Sequence, residues 1–217
     1  MFTAIIFDLD GVITDTARYH YLAWKRLAEG LGVPFDEAFN EQLKGVDRMG
    51  SLDLILRRGG LDPDASERAR LADQKNVDYR QLVATMTRAD LLPGALRALE
   101  AARGAGLKVG LASVSKNAGT ILERLGITGY FDYVVDANLI RRGKPDPEIF
   151  LTAAEQLGVA PKACVGVEDA AVGVQAIKSA GMVAIGVGDP TILALADRVV
   201  PTLSDFDLAA ALRDLAV

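Results

Sequence analysis

The sequence predicts an α/β fold: a parallel sheet flanked by helices, with an all-helical segment inserted near its start. Three observations carry that reading. First, short apolar runs occur at 3–7 (TAIIF), 108–112, 133–135, 163–167, 183–187 and 198–200. They are β-branched or small and lack polar alternation, as expected of strands covered on both faces. Second, amphipathic stretches at 94–106, 116–126, 146–158 and 170–181 lie among the later runs, and each ends in Gly, a usual helix stop. Third, the alternation breaks between Thr14 and Pro93, where the pattern is helical throughout, at 16–30, 36–43, 50–58 and 64–87. Strand–helix alternation gives a parallel, Rossmann-like sheet core flanked by helices. The insert is entered through TDT and left through DLLPG, both polar or Pro/Gly crossings. The expected division is therefore a core of residues 1–14 and 93–217 and an all-α cap of residues 15–92.

Composition narrows the function. The chain has 217 residues, half of them hydrophobic, which suffices for one core domain with a smaller insert. A net charge of -5 argues against a nucleic-acid surface. Cys164 and His20 are the only residues of their kinds, so an intrachain disulfide and a Cys/His zinc site are both excluded. The cysteine usage fits a reducing cytoplasm. The apolar N-terminal run is interrupted by Asp8 and lacks a basic flank, so neither a signal peptide nor a membrane span is expected. No sequence feature signals an oligomer, and a monomer is the expectation.

Ligands of open parallel sheets bind beyond the carboxyl ends of the strands. Asp8 and Asp10 follow the first run, Ser113 the second, Lys144 a later one, and Glu168 and Asp169 the fourth. Four acids, a hydroxyl and a lysine are thus expected on one edge. Clustered carboxylates raise one another's pKa, and a hard divalent cation resolves the repulsion; oxygen donors of this kind suit Mg²⁺. A carboxylate beside such an ion can attack phosphorus, a neighbouring acid can move the substrate proton, and Lys144 and Ser113 can hold the phosphoryl oxygens. Blander readings exist for each group. A lone D-x-D closes a strand, Glu168–Asp169 suits a helix N-terminus, Lys144 could be a solvated loop lysine, and Ser113 or Ser115 could cap the next helix. His20 and Trp24, one helical turn apart, could be packing, and Cys164 in ACVGV reads as buried and inert.

DLDGVITDT, SVSK, GKPDP and GVEDAAVG, in that order, resemble the four motifs of the haloacid dehalogenase superfamily. The helical insert resembles that superfamily's small helical cap. Within it, DTARYHYLAWKRLAEGLG and FNEQLKGVDRMGSLDLIL resemble the cap of sugar-phosphate mutases. The resemblance implies Asp8 as nucleophile, Asp10 as general acid/base, and Ser113 and Lys144 as further catalytic groups. It implies Mg²⁺ held by Asp8, the Asp10 backbone carbonyl and Asp169, with Glu168 in the same acidic shell. Substrate binding is implied for Thr16, His20, Trp24, Lys44, Gly45, Val46, Arg48, Ser51 and Lys75, and for Ser115, Lys116 and Asn117 at the phosphate. Asp47 fills the variable place of the G-V-x-R loop and, beside Arg48, is counted with that set. The implied partners are small-molecule sugar phosphates. The implied reaction converts β-glucose 1-phosphate to glucose 6-phosphate through an aspartyl phosphate and β-glucose 1,6-bisphosphate. Simple sugar-phosphate hydrolysis on the same scaffold is the alternative.

Overall fold

The structure, a computed structural model, describes residues 2–43, 46 and 48–215. Its centre is the first strand. β1 (Ala4–Phe7) has all four residues fully buried. β2 (Lys108–Leu111) and β4 (Cys164–Glu168) flank it, β3 (Tyr133–Val134) lies outside β2, and β5 (Val183–Val187) and β6 (Arg198–Val200) extend the other side. The order is β3-β2-β1-β4-β5-β6, and every pairing is parallel. A strand with strands on both edges and helices on both faces has no use for polar side chains, which is why AIIF does not alternate. Burying Ile5, Ile6 and Phe7 contributes roughly 1.5–3 kcal/mol each.

Chain division follows the crossings. One unit comprises residues 1–15 and 86–217, the other Thr16–Thr85. The second unit is all helical: α1 (Ala17–Gly30), α2 (Glu37–Asn40), α3 (Arg48–Arg58) and α4 (Ala65–Val83). Asp36 and Asp64 cap α2 and α4, their carboxylates accepting the backbone N–H of Phe39 at 2.7 Å and of Glu67 at 2.9 Å. Trp24, Leu27, Leu52, Ile55 and Leu71 build its core. The chain returns to the first unit at Met86, ahead of the expected 93. The reason is tertiary: Leu91 bridges Thr14 in antiparallel fashion, the Thr14 hydroxyl donates to the Asp90 carbonyl at 2.7 Å, and the Leu92 N–H donates to Ile13 at 2.9 Å. These bonds bind 86–92 to the segment after β1.

The remaining helices belong to the sheet unit: α5 (Ala95–Gly104), α6 (Ala118–Leu125), α7 (Glu148–Leu157), α8 (Ala171–Ser179) and α9 (Leu208–Asp214). Ile149, Phe150 and Ala153 of α7 and Val174 and Ile177 of α8 pack on the sheet face that carries Ala4 and Ile6. α9 was not expected from the sequence; a short Ala/Leu stretch opening at Asp207, whose carboxylate accepts the Ala210 N–H at 3.0 Å, forms it. No helix among the described residues is long and apolar enough to cross a membrane.

Candidate active site

β1 is in register with both neighbours: Phe7 sits opposite Leu111 and Val167. The residues that follow therefore emerge at one level of one edge. The Asp8 N–H donates to the Val167 carbonyl at 2.9 Å, and the Ala112 N–H donates to Phe7 at 2.8 Å. Asp8 comes off β1, Ser113 follows β2, and Glu168 ends β4. Lys144 arrives on the loop after β3, joined to Pro145 by a cis peptide bond.

The Lys144 ammonium donates to Asp8 Oδ1 at 2.5 Å and to Glu168 Oε1 at 2.6 Å. All three side chains are nearly closed to solvent. The second Glu168 oxygen accepts the Ala170 N–H at 2.8 Å. Asp8, Glu168 and Asp169 each place a carboxylate oxygen within 4.8 Å of the others. Asp10 contributes no carboxylate to that trio; its backbone bridges Thr14 in the turn after β1. Ser113 is buried, and its hydroxyl oxygen accepts the Ser115 N–H at 3.1 Å, which leaves the hydroxyl hydrogen to donate elsewhere. Ser115 does the same for Asn117 at 3.3 Å, so the local turn likewise leaves its hydroxyl hydrogen to donate elsewhere. Cys164 is buried, and burial pushes its thiol up to about 11.

Charge is unbalanced here. Burial raises Asp8 to about 8; Lys144 opposes the shift, while Glu168 and Asp10 add to it. Burial, then the Glu168 charge, raises Asp169 to about 7. Burial alone would lower Lys144, but Asp8 and Glu168 outweigh it and hold its pKa above the ordinary lysine value. With the ammonium 2.5 Å away, Asp8 belongs in the pair as the anion. Burial drives both upward shifts, the neighbouring carboxylate charges add to them, and the lone ammonium does not cancel them. An oxygen-lined group of three acids with too little positive charge fits a hard divalent cation such as Mg²⁺.

Two glycines make room for this cluster. Gly11 has φ +78°, and a Cβ there would stand 1.9 Å from Asp169 Oδ2. A Cβ on Gly173 would stand 1.8 Å from Glu168 Oε1. Gly173→Ala is therefore expected to displace the Glu168 carboxylate from Lys144 and to destabilise the protein by about 1–3 kcal/mol through overpacking. Thermal unfolding with and without Mg²⁺ checks this: the variant should gain much less from the ion than the parent protein.

The helical unit carries its own polar cluster. Lys75 is buried, its ammonium 2.8 Å from His20 Nδ1, 4.7 Å from the Trp24 ring centroid and 4.9 Å from that of Tyr79. The His20 and Tyr79 rings lie 4.1 Å apart. If Lys75 donates to Nδ1, the His20 proton sits on Nε2. Desolvation, then the cations of Lys75 and Arg48, lowers the His20 pKa. His20 as a residue stays exposed, so the ammonium at 2.8 Å is the stronger argument for a neutral ring at pH 7. Burial, then Arg48, lowers Lys75 to about 7. Thr16 and Ser51 are buried, and the Ser51 hydroxyl donates to the Val46 carbonyl at 3.4 Å. Arg48 opens α3 and donates to Asn76 Oδ1 at 3.1 Å. Asn76 was missed in the sequence, where nothing local links it to a residue so far away. Lys44, Gly45 and Asp47, expected at the substrate, lie outside the described residues. Lys116 is exposed and Asn117 half-buried ahead of α6.

The Lys75 environment predicts a pH signature. Between the folded value near 7 and the ordinary 10.5, the folded chain binds fewer protons than the unfolded one. Stability from this group therefore rises as pH goes from 7 to 10.5, and below 7 the cost of the buried cation is borne in full. Lys75→Met should gain about 2–3 kcal/mol at pH 6 and under about 1 kcal/mol at pH 10, as read by urea unfolding.

The family model of the haloacid dehalogenase-like hydrolases matches residues 2–181. The chain belongs to that family. A β-phosphoglucomutase of Bacillus subtilis is 50% identical over 207 residues, covering 94% of this chain and 92% of the relative. The crystal structure of β-phosphoglucomutase from Clostridium difficile superposes with a TM-score of 0.86 at 44% identity, covering 98% of this chain and 96% of that one. A phosphorylated carbohydrates phosphatase of Thermotoga maritima is 33% identical, with 82% of each chain covered. Like these family members, the chain is an enzyme.

Proposed function

We propose that the chain is a Mg²⁺-dependent phosphomutase that interconverts β-D-glucose 1-phosphate and glucose 6-phosphate through β-glucose 1,6-bisphosphate. One observation carries the reading: a buried Asp8–Lys144–Glu168–Asp169 cluster in a chain half identical, along nearly its whole length, to a β-phosphoglucomutase. Asp8 attacks the phosphoryl group of the bisphosphate, forming an aspartyl phosphate as the sugar oxygen leaves. Asp10 gives that oxygen a proton and takes one from the hydroxyl that next accepts the phosphoryl group. Lys144 and Ser113 hold the phosphoryl oxygens, aided by Ser115, Lys116 and Asn117. Asp8, the Asp10 carbonyl and Asp169 would hold Mg²⁺, with Glu168 beside them. The ion supplies charge neutralisation for the transferring group. Thr16, His20, Trp24, Lys75, Val46, Ser51 and Arg48 bind the substrate, together with the loop residues Lys44, Gly45 and Asp47. Arg48, a forked guanidinium, suits the phosphate that is not reacting. The protein acts as a cytoplasmic monomer on small sugar phosphates.

Phosphorus NMR tests the reaction. With Mg²⁺, β-glucose 1-phosphate and a trace of β-glucose 1,6-bisphosphate, the expected product is glucose 6-phosphate with little free phosphate. Mainly inorganic phosphate would replace this reading with a sugar-phosphate phosphatase, the activity carried in the name of the T. maritima relative. Arg48→Ala is expected to lower bisphosphate turnover by about 10²-fold while hydrolysis of a small phosphoryl donor changes little. Equal losses in both assays would remove Arg48 from the substrate.

A further inference from the structure

The loop that delivers Lys144 is built from RRGKPDPE (141–148), and its two prolines remove backbone donors and forbid a regular strand or helix there. Something else must fix its path, because an ammonium 1 Å out of place would lose both of its short contacts. Glu148, the first residue of α7, does so. Its Oε1 accepts the Arg141 N–H at 2.9 Å and its Oε2 the Arg142 N–H at 3.0 Å. The Arg142 side chain adds longer, exposed contacts, 3.4 Å from Nε to Glu148 and 3.2 Å from Nη1 to Asp146. Asp146 completes the clip: its carboxylate accepts the Glu148 N–H at 3.0 Å, and its own N–H donates to Gly143 at 3.0 Å. The clip closes just ahead of Lys144 and behind it. Two residues on from Glu148, in the same turn of α7, the fully buried Phe150 presents its ring 5.2 Å from the Lys144 ammonium.

We propose that Glu148 is a positioning residue for Lys144: by gripping two successive backbone N–H groups it sets where the ammonium stands between Asp8 and Glu168. A carboxylate can take both hydrogens at once, whereas an amide offers one acceptor oxygen and a conflicting donor. Arg141 N–H, the first of several donors, also holds the Glu148 pKa below the usual glutamate range, as a grip on the ionised form requires. This rests on the reading of Asp8 as phosphoryl acceptor, and the test separates the two.

The experiment is a double-mutant cycle between Glu148→Ala and Lys144→Ala, read on the affinity of Mg²⁺ with beryllium trifluoride by calorimetry. Glu148→Ala should weaken binding about tenfold with Lys144 present and less than twofold in the Lys144→Ala background. Glu148→Gln should fall between Glu148→Ala and the parent protein, and Arg142→Ala should change affinity less than twofold, because the backbone N–H stays. In turnover, Glu148→Ala should lower kcat about tenfold and move KM less than threefold. Equal losses in both backgrounds, or no loss at all, would overturn the positioning role. If beryllium trifluoride fails to bind the parent protein, the Asp8 reading falls. The same cycle read by urea unfolding in EDTA still reports whether Glu148 acts through Lys144, with coupling expected and additivity overturning it.

Discussion

Asp8→Asn is expected to lower kcat by about 10⁴-fold or more while leaving the protein folded. The amide keeps the shape of the side chain but cannot form the acyl phosphate. Its effect on stability should be small or favourable in EDTA. One of three crowded carboxylates loses its charge, and Lys144 retains its 2.6 Å contact with Glu168. The decisive readout is covalent. Incubation with acetyl phosphate and Mg²⁺ should add one phosphoryl group to the parent protein by mass spectrometry and none to the variant. A variant that still carries the added phosphoryl group would move the acceptor to another residue.

Lys144→Ala is expected to be the most damaging change for the fold. It removes the ammonium and leaves Asp8, Glu168 and Asp169 together in a poorly hydrated site. Breaking a buried pair from one side typically costs about 3–5 kcal/mol, because the remaining charge is uncompensated. Here two partners are abandoned at once. Activity should fall by about 10³-fold as the phosphoryl charge loses its fixed cation. Urea unfolding in EDTA and in Mg²⁺ separates the causes. The deficit should be largest in EDTA and shrink in Mg²⁺, since a dication can stand in for part of the missing charge. A variant as stable as the parent protein in EDTA would mean that the carboxylates discharge themselves by taking up protons.

Much of this architecture was legible before any coordinates. TAIIF and the other apolar runs announced their strands because a doubly covered parallel strand has a simple composition rule. The glycines after the amphipathic stretches closed the helices, with Gly126 and Gly158 standing in the left-handed conformation that such ends use. Asp8, Glu168, Asp169 and Lys144 were legible because the sheet rule names one edge and each ends or follows a strand on that edge. What escaped is what only tertiary pairing creates. Residues 86–92 read as part of the insert because their tie to Thr14 spans the whole of it. Asn76 gave no sign of its bond to Arg48, nor Glu148 of its grip on the backbone at 141–142. The spaces opened by Gly11 and Gly173 depend on where a carboxylate from another segment comes to rest.

The place of β1 in the sheet also sets an order of assembly during synthesis. β1 leaves the ribosome ahead of the other strands, yet its partners are β2 at 108–111 and β4 at 164–168. At ordinary elongation rates that is a wait on the order of ten to thirty seconds. During it, an apolar strand has both edges open, the condition that invites pairing with other chains. The helical segment 16–85 lies within the wait, and its contacts are local enough to form while the sheet cannot. The buried cluster thus comes together in one late event, when β4 emerges, closes the second edge of β1 and brings Glu168 and Asp169 to Asp8.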